Sequence, residues 1–211
     1  MRVLELFAGS RSIGKVAEAA GHEVISCDIE QFGDIDIVGD ILDIPLSTYL
    51  TYDFDCVWAS PPCTTFSVAS IGTHWDKDRL PKTDAAFKGL RILEKTLAII
   101  KVINPKFYFI ENPRGMMRKM PEMHGLNRVT VWYCRYGDTR AKPTDIWSNN
   151  IANLFNQNGW LPRAECFNGN ENCHHERAPR GSKTGTQGFK NNHERSKIPE
   201  QLCKEIIKTI T

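Results

Sequence analysis

The chain has 211 residues, of which 41% are hydrophobic and 25% charged, with a net charge of +2. This composition excludes disordered, collagen-like and disulfide-stapled classes and suits one domain with a sizeable core. No run of about 18 apolar residues exists, so no transmembrane helix is expected. The opening Met1-Arg2-Val3-Leu4-Glu5 carries no signal-peptide pattern, so a cytoplasmic location is expected. The seven cysteines need not pair in a reducing compartment, and most are expected to be small buried hydrophobes.

Charge is unevenly spread. Residues 1–60 carry 3 Lys/Arg against 11 Asp/Glu, and the remainder carries 24 against 14. Such asymmetry suits a polyanion on one side of the molecule and a cationic or hydroxyl-rich ligand on the other. Chance clustering of solvated charges is the plain alternative.

In chain order, Arg2–Phe7 reads as a buried strand and Ala8-Gly9-Ser10 breaks it. A helix follows over Ile13–Ala20 and stops at Gly21. Strands are expected at Glu23–Asp28, Asp36–Val38 and Phe54–Ala59. Residues 64–82 read as a long loop, which inside a compact domain is usually functional. Asp84–Ile103 is the best helix, with apolar residues recurring at three- and four-residue steps. Strands Lys106–Ile110 and Val129–Cys134 follow. Apolar periodicity fades from about Ser148, and Arg177–Lys197 holds six Lys/Arg, one Glu and several glycines. A helix opened by Pro199 closes the chain, with Leu202, Ile206, Ile207 and Ile210 as its buried stripe. Alternating strands and helices imply a mostly parallel sheet, whose ligands bind beyond the carboxyl ends of the strands.

Three strand ends carry the chemistry. At Leu6-Phe7-Ala8-Gly9-Ser10 and Gly14, a tight glycine turn lets backbone N–H groups approach a ligand, although the G-x-G-x-x-G spacing is absent. Asp28 closes the second strand, where a carboxylate can accept both hydroxyls of a ribose. Asp40 is placed for an adenine amino group, with Ile41 against the ring; both acids simply capping turns is the alternative. Pro61 and Pro62 fix the backbone ahead of Cys63, a candidate nucleophile or else a buried turn cysteine. Glu111, between a strand and Pro113, is a proton donor at neutral pH if desolvated, or else a salt-bridged acid.

Taken in order, these elements resemble the DNA cytosine-5 methyltransferase family. Its D-L-F-A-G turn stands here as Glu5-Leu6-Phe7-Ala8-Gly9, its P-P-C-x-x-F-S as Pro61 to Ser67, and its E-N-V as Glu111-Asn112-Pro113. The resemblance implies an α/β, Rossmann-like methyltransferase fold with S-adenosylmethionine as donor and S-adenosylhomocysteine as product. Phe7, Ala8 and Gly9 would hold its methionine part, Asp28 its ribose and Asp40 with Ile41 its adenine. Ser10, Ile29 and Pro61 are counted as further cofactor contacts. Cys63 would attack C6 of a flipped-out cytosine, and Glu111 would hold N3 and the exocyclic amine. The family's Q-x-R-x-R is represented by Tyr136 to Lys142, with Arg140 as the catalytic arginine and Lys142 a loose match to the second. Lysine does not reproduce an arginine fork. Ser67, Arg114 and Lys142 are read as DNA contacts, with Arg177, Arg180, Lys183 and Lys190 neutralising phosphates.

The resemblance divides the chain into a catalytic domain (1–147), a reduced target-recognition insertion (148–197) and a closing helix (198–211). So short an insertion implies short or degenerate sequence specificity and a compact, phage- or prophage-like form in a bacterial host. Double-stranded DNA is the expected partner of a monomer. Cys166, Cys173 and His174 are candidate zinc ligands, with His193 or Cys134 to complete the set. The preferred reading is instead that the histidines, His174 and His175, are polar contacts near DNA. The rivals are an exocyclic-amine (N4-cytosine) methyltransferase, disfavoured because Cys63 cannot stack a base, and a non-catalytic DNA-binding homologue.

Overall fold

The computed structural model describes residues 1–167, 169–176 and 192–211, and of 192 and 193 only the backbone. Seven strands form one sheet: β1 Arg2–Leu6, β2 Glu23–Asp28, β3 Ile37–Val38, β4 Cys56–Ala59, β5 Phe107–Pro113, β6 Arg128–Trp132 and β7 Pro143–Ser148. Their spatial order is β3-β2-β1-β4-β5-β7-β6. β7 pairs antiparallel with both β5 and β6, and every other pairing is parallel. The helices are α1 Ser12–Ala19, α2 Leu46–Tyr49, α3 Ile71–His74, α4 Asp84–Ile103, α5 Asn192–Ser196 and α6 Glu200–Lys208.

Strand alternation sends side chains to two cores. Leu4, Leu6, Cys27, Val57, Ala59 and Ile110 meet Leu93, Ile99 and Ile100 of α4 on one face. Val3, Val24, Cys56, Trp58, Phe109 and Ile146 meet Ile13 and Ala17 of α1 on the other, with Leu202, Cys203, Ile206 and Ile207 of α6. α6 therefore covers α1, and the Ile198 amide donates to Ser12 Oγ at 3.2 Å across the whole length of the chain. The expected span of α4 agrees with the structure. Thr83 caps it by accepting from the Ala86 amide at 3.2 Å, worth about 1 kcal/mol. Asn104 ends it in the left-handed region, just ahead of Pro105.

Two expectations need adjustment. The loop over 64–82 contains α3 and a bridge between Trp75 and Pro81. The strand expected to end at Ile110 runs on to Pro113, because β7, which the sequence reading passed over, pairs with it there.

Candidate active site

Parallel pairing sets the strand ends level. Leu6 pairs with Cys27 and with Ala59, and Ala59 pairs with Ile110. Phe7, Asp28, Ser60 and Glu111 therefore follow as one row at the carboxyl edge, where open α/β sheets bind ligands. The three motifs converge because they occupy the same position on neighbouring strands.

The β1 turn is strained. Phe7 and Arg11 both adopt left-handed backbone angles (φ 60° and 52°), flanking Gly9 at 47°. L-residues pay about 1–2 kcal/mol for this, which the surrounding contacts must offset. Gly9 N donates to Asp28 Oδ2 at 2.8 Å and Glu30 N to Asp28 Oδ1 at 3.1 Å, so each carboxylate oxygen keeps a lone pair. Ile29 beside it is 58% exposed. Beneath the turn, Glu5 is buried and accepts from Ile13 N at 3.1 Å. Burial pushes its carboxyl up to about 7.

A cavity of about 350 Å³ opens beside Asp40, lined also by Leu42, Asp43, Asp84, Phe87, Lys88 and Arg91. Lys88 Nζ lies 2.8 Å from Asp40 Oδ2 and, with the Leu42 amide, holds that carboxyl below its ordinary range. Ile41, expected against a ring, is in the core at 5% exposed; the exposed apolar side chain lining this cavity is Phe87. Asp28 with free lone pairs, exposed Ile29 and this cavity fit a nucleoside-bearing donor laid across the edge.

The Cys63 loop is clamped from several sides. Ser60 N donates to Leu6 O at 3.3 Å, tying it to the β1 turn. Asn112 Nδ2 donates to Pro61 O at 2.8 Å. The amides of Phe66 and Ser67 both donate to Cys63 O, at 3.1 and 2.9 Å. Trp75 Nε1 donates to Thr65 O at 2.7 Å and its ring packs on Phe66. Met116 N donates to Phe66 O at 2.6 Å, and Ser67 bridges Gly115. A Cβ at Gly115 would collide with Phe66 O, so only glycine lets the two loops meet.

Opposite Cys63 stands a wall that sequence reasoning assigned differently. Because β7 runs against its neighbours, its first residue lies at the active edge, level with the end of β6. Lys142 and Tyr133 therefore flank the site, with Lys142 Nζ 4.7 Å from the Tyr133 ring centroid. Tyr133 donates from its hydroxyl to Glu111 Oε1 at 2.9 Å. Burial and the adjoining Glu111 hold that phenol well above its ordinary range. Burial raises the Cys63 thiol; the Lys142 cation pulls it back and the Glu111 carboxylate raises it. Burial lowers the Lys142 ammonium, while Glu111 and Cys63 favour its charge.

Lys142, expected on DNA, has Cys63 and Glu111 among its charge partners, and its Nζ donates to Arg195 O at 3.2 Å. Arg140, expected at the reacting centre, is buried and held by Asp138: its Nε sits 2.8 Å from Asp138 Oδ1 and its Nη1 donates to Arg195 O at 3.0 Å. It braces the loop carrying Lys142. Arg114 stays exposed over the Trp132 ring, and Ser67 is half-buried. Ala8 and Pro61 are buried, and Ser10 is half-buried beside Ser12. Arg177, Arg180, Lys183 and Lys190 lie outside the described residues. Tyr133 was missed because its role depends on pairing across β6 and β7, not on any local pattern.

A family model described as C-5 cytosine-specific DNA methylase matches residues 1–130. The probable DNA (cytosine-5)-methyltransferase of Frog virus 3 (isolate Goorha) is 34% identical over 161 residues, covering 71% of each chain. Among solved structures, a putative DNA modification methyltransferase encoded within an E. coli prophage superposes with TM-score 0.50 at 17% identity, over 70% of this chain and 46% of that one. The Entamoeba histolytica methyltransferase EhMeth gives 0.54 at 14% identity, over 79% and 57%. The chain thus spans about half the length of these two structures, which speak for the fold alone. With the motifs, the level strand ends and the viral relative in agreement, the chain belongs to the C-5 cytosine-specific DNA methylases, a family of S-adenosylmethionine-dependent methyltransferases.

Proposed function

We propose that the chain transfers a methyl group to C5 of a cytosine flipped out of double-stranded DNA, through a covalent bond from Cys63. The observation that carries this reading is the clamped Cys63 loop facing Lys142 and Glu111 at the sheet edge that also holds the strained Phe7–Gly9 turn. When bound, S-adenosylmethionine supplies an electrophilic methyl group. The backbone of Phe7 to Gly9, with Ser10, Ile29 and Pro61 nearby, would hold its amino-acid part. Asp28 would hold its ribose, and Asp40 its adenine beside Phe87.

The chain's own groups do the rest. Lys142 favours the thiolate of Cys63, which forms a bond to C6 and makes C5 electron-rich. Tyr133 occupies Glu111 Oε1, leaving Oε2 to hold N3 and carry a proton to it. After C5 is methylated its proton passes to a base, a water molecule in this reading. The C6–S bond then breaks, its electrons leaving with Cys63 as thiolate, and N3 returns its proton to Glu111. Extruding the cytosine costs a few kcal/mol, repaid by contacts to its edge. Ser67 and Arg114 border the loops that would receive it, and Arg177, Arg180, Lys183 and Lys190 are proposed to neutralise phosphates. A monomer with a reduced recognition insertion over 148–197 and short sequence specificity completes this reading.

Bisulfite sequencing of plasmid DNA from cells expressing the chain tests it. Methylated cytosines are expected in a short context, and none with Cys63→Ser. DNA containing 5-fluorocytosine is expected to trap the wild-type protein covalently. Unmethylated DNA together with no trapping would refute the proposal.

A further inference from the structure

We propose that Cys134, Cys166, Cys173 and His175 form a structural zinc site that staples the loop-rich segment 161–176 to the wall behind Glu111. Their ligand atoms all lie within 4.8 Å of one another. A tetrahedral zinc with Zn–S bonds of ~2.3 Å places sulfurs about 3.8 Å apart, so closing the site needs shifts of an ångström or less. Cys166 Sγ already lies 3.8 Å from His175 Nδ1. Three of the four residues, Cys134, Cys166 and His175, are buried at 2%, 4% and 7% exposed. His175 Nε2 is buried with no hydrogen-bond partner among the described residues. Three thiols and an imidazole are poor hydrogen-bonding company for one another, but they are a closed Cys₃His donor set that suits zinc.

The surroundings give such an ion a task. The described residues of 161–176 form neither helix nor strand. Their apolar support is small: Trp132, Cys134 and Cys166, with Ala141 beside them. A segment without a core of its own gains stability from a metal. Asn170 Nδ2 reaches Cys166 Sγ at 3.6 Å, the kind of outer contact that orients a thiolate. Glu176 N donates to Thr139 O at 2.9 Å, and Arg135 Nε donates to Ala164 O at 3.1 Å, so the segment already docks on the loop between β6 and β7. Cys134 follows Tyr133, the partner of Glu111.

The structure also corrects the ligand expected from sequence. His174 turns outward and meets Asp138 O at 3.1 Å, while the next residue, His175, turns inward to the cysteines. The side chain of His193 lies outside the described residues, and Cys134 supplies the fourth ligand.

Elemental analysis of the purified full chain is expected to find about one zinc per chain. His175→Ala and Cys166→Ser are expected to lower this at least tenfold, and His174→Ala to leave it unchanged. Should the ligand variants fail to fold, cobalt(II) exchanged into the wild-type protein supplies a second readout, with a thiolate-to-cobalt charge-transfer band and intense tetrahedral d–d bands expected. Wild-type protein that neither carries zinc nor gives those bands overturns the proposal. So does a disulfide between two of the three cysteines in intact mass, or equal metal loss from His174→Ala and His175→Ala.

Discussion

At the scale of single residues, the most consequential side chain is Lys142. Burial works against ionisation of Cys63, and the lysine cation is the largest influence opposing it. The sign of its removal follows directly. In Lys142→Met nothing replaces the pull, the thiol ionises at higher pH, and the rising limb of kcat/KM against pH moves in the alkaline direction. Loss of a close counter-charge is worth about one pKa unit or more, so methyl transfer near neutral pH falls about tenfold. Lys142→Arg is expected to restore the limb toward its original position. If the limb stays in place while the rate drops, Lys142 serves DNA contact and not the thiol. Arg140 is engaged elsewhere: Asp138 holds the Nε–Nη2 edge of its guanidinium and Nη1 donates to Arg195 O. Cys63, Glu111 and Asp28 were legible from the sequence because each sits inside a short local pattern at a strand end. The placement of Lys142 beside Cys63 and of Arg140 against Asp138 was not, since it rests on the direction of a strand two elements away.

At the scale of elements, the site depends on two loops meeting at Gly115. In Gly115→Ala the added methyl collides with Phe66 O, and either the Cys63 loop or the Glu111 loop must yield. A displacement of about 1 Å costs about a hundredfold in rate. Methyl incorporation is therefore expected to fall by that order while circular dichroism stays native. Gly72→Ala is the control: nothing lies within 4 Å of its Cβ, and full activity is expected. A Gly115→Ala enzyme as active as the control would mean the loop contact is dispensable. The same scale explains what the sequence concealed. α4 was readable end to end, because a capping threonine, a long apolar stripe and Asn104-Pro105 agree with one another. β7 was not, because a six-residue strand opening on proline resembles a loop until its partners are known. Its buried Asp145 is met by Arg118 and Thr130, with Arg118 Nε at 2.8 Å, a pairing that no spacing rule anticipates. In 161–176 there was no periodicity to read at all.

At the scale of the whole molecule, the sheet is assembled from distant parts. β1 pairs with β4, β5 with β7, and the second face of the sheet is sealed by α6 lying against α1. Long-range pairings of this kind delay folding, because loop closure precedes the contacts that compensate it. The placement of α6 carries a consequence for synthesis on the ribosome. α1, Val3 and Val24 lack part of their apolar cover until Leu202, Ile206 and Ile207 have left the exit tunnel. Nascent chains stalled with 200–211 still inside the tunnel should remain open to protease near residues 1–60, and those released further should become resistant in one step. Resistance gained before α6 emerges would show that the N-terminal half matures unaided. Otherwise the glycine turn is translated well before α6 and reaches its working shape only after it.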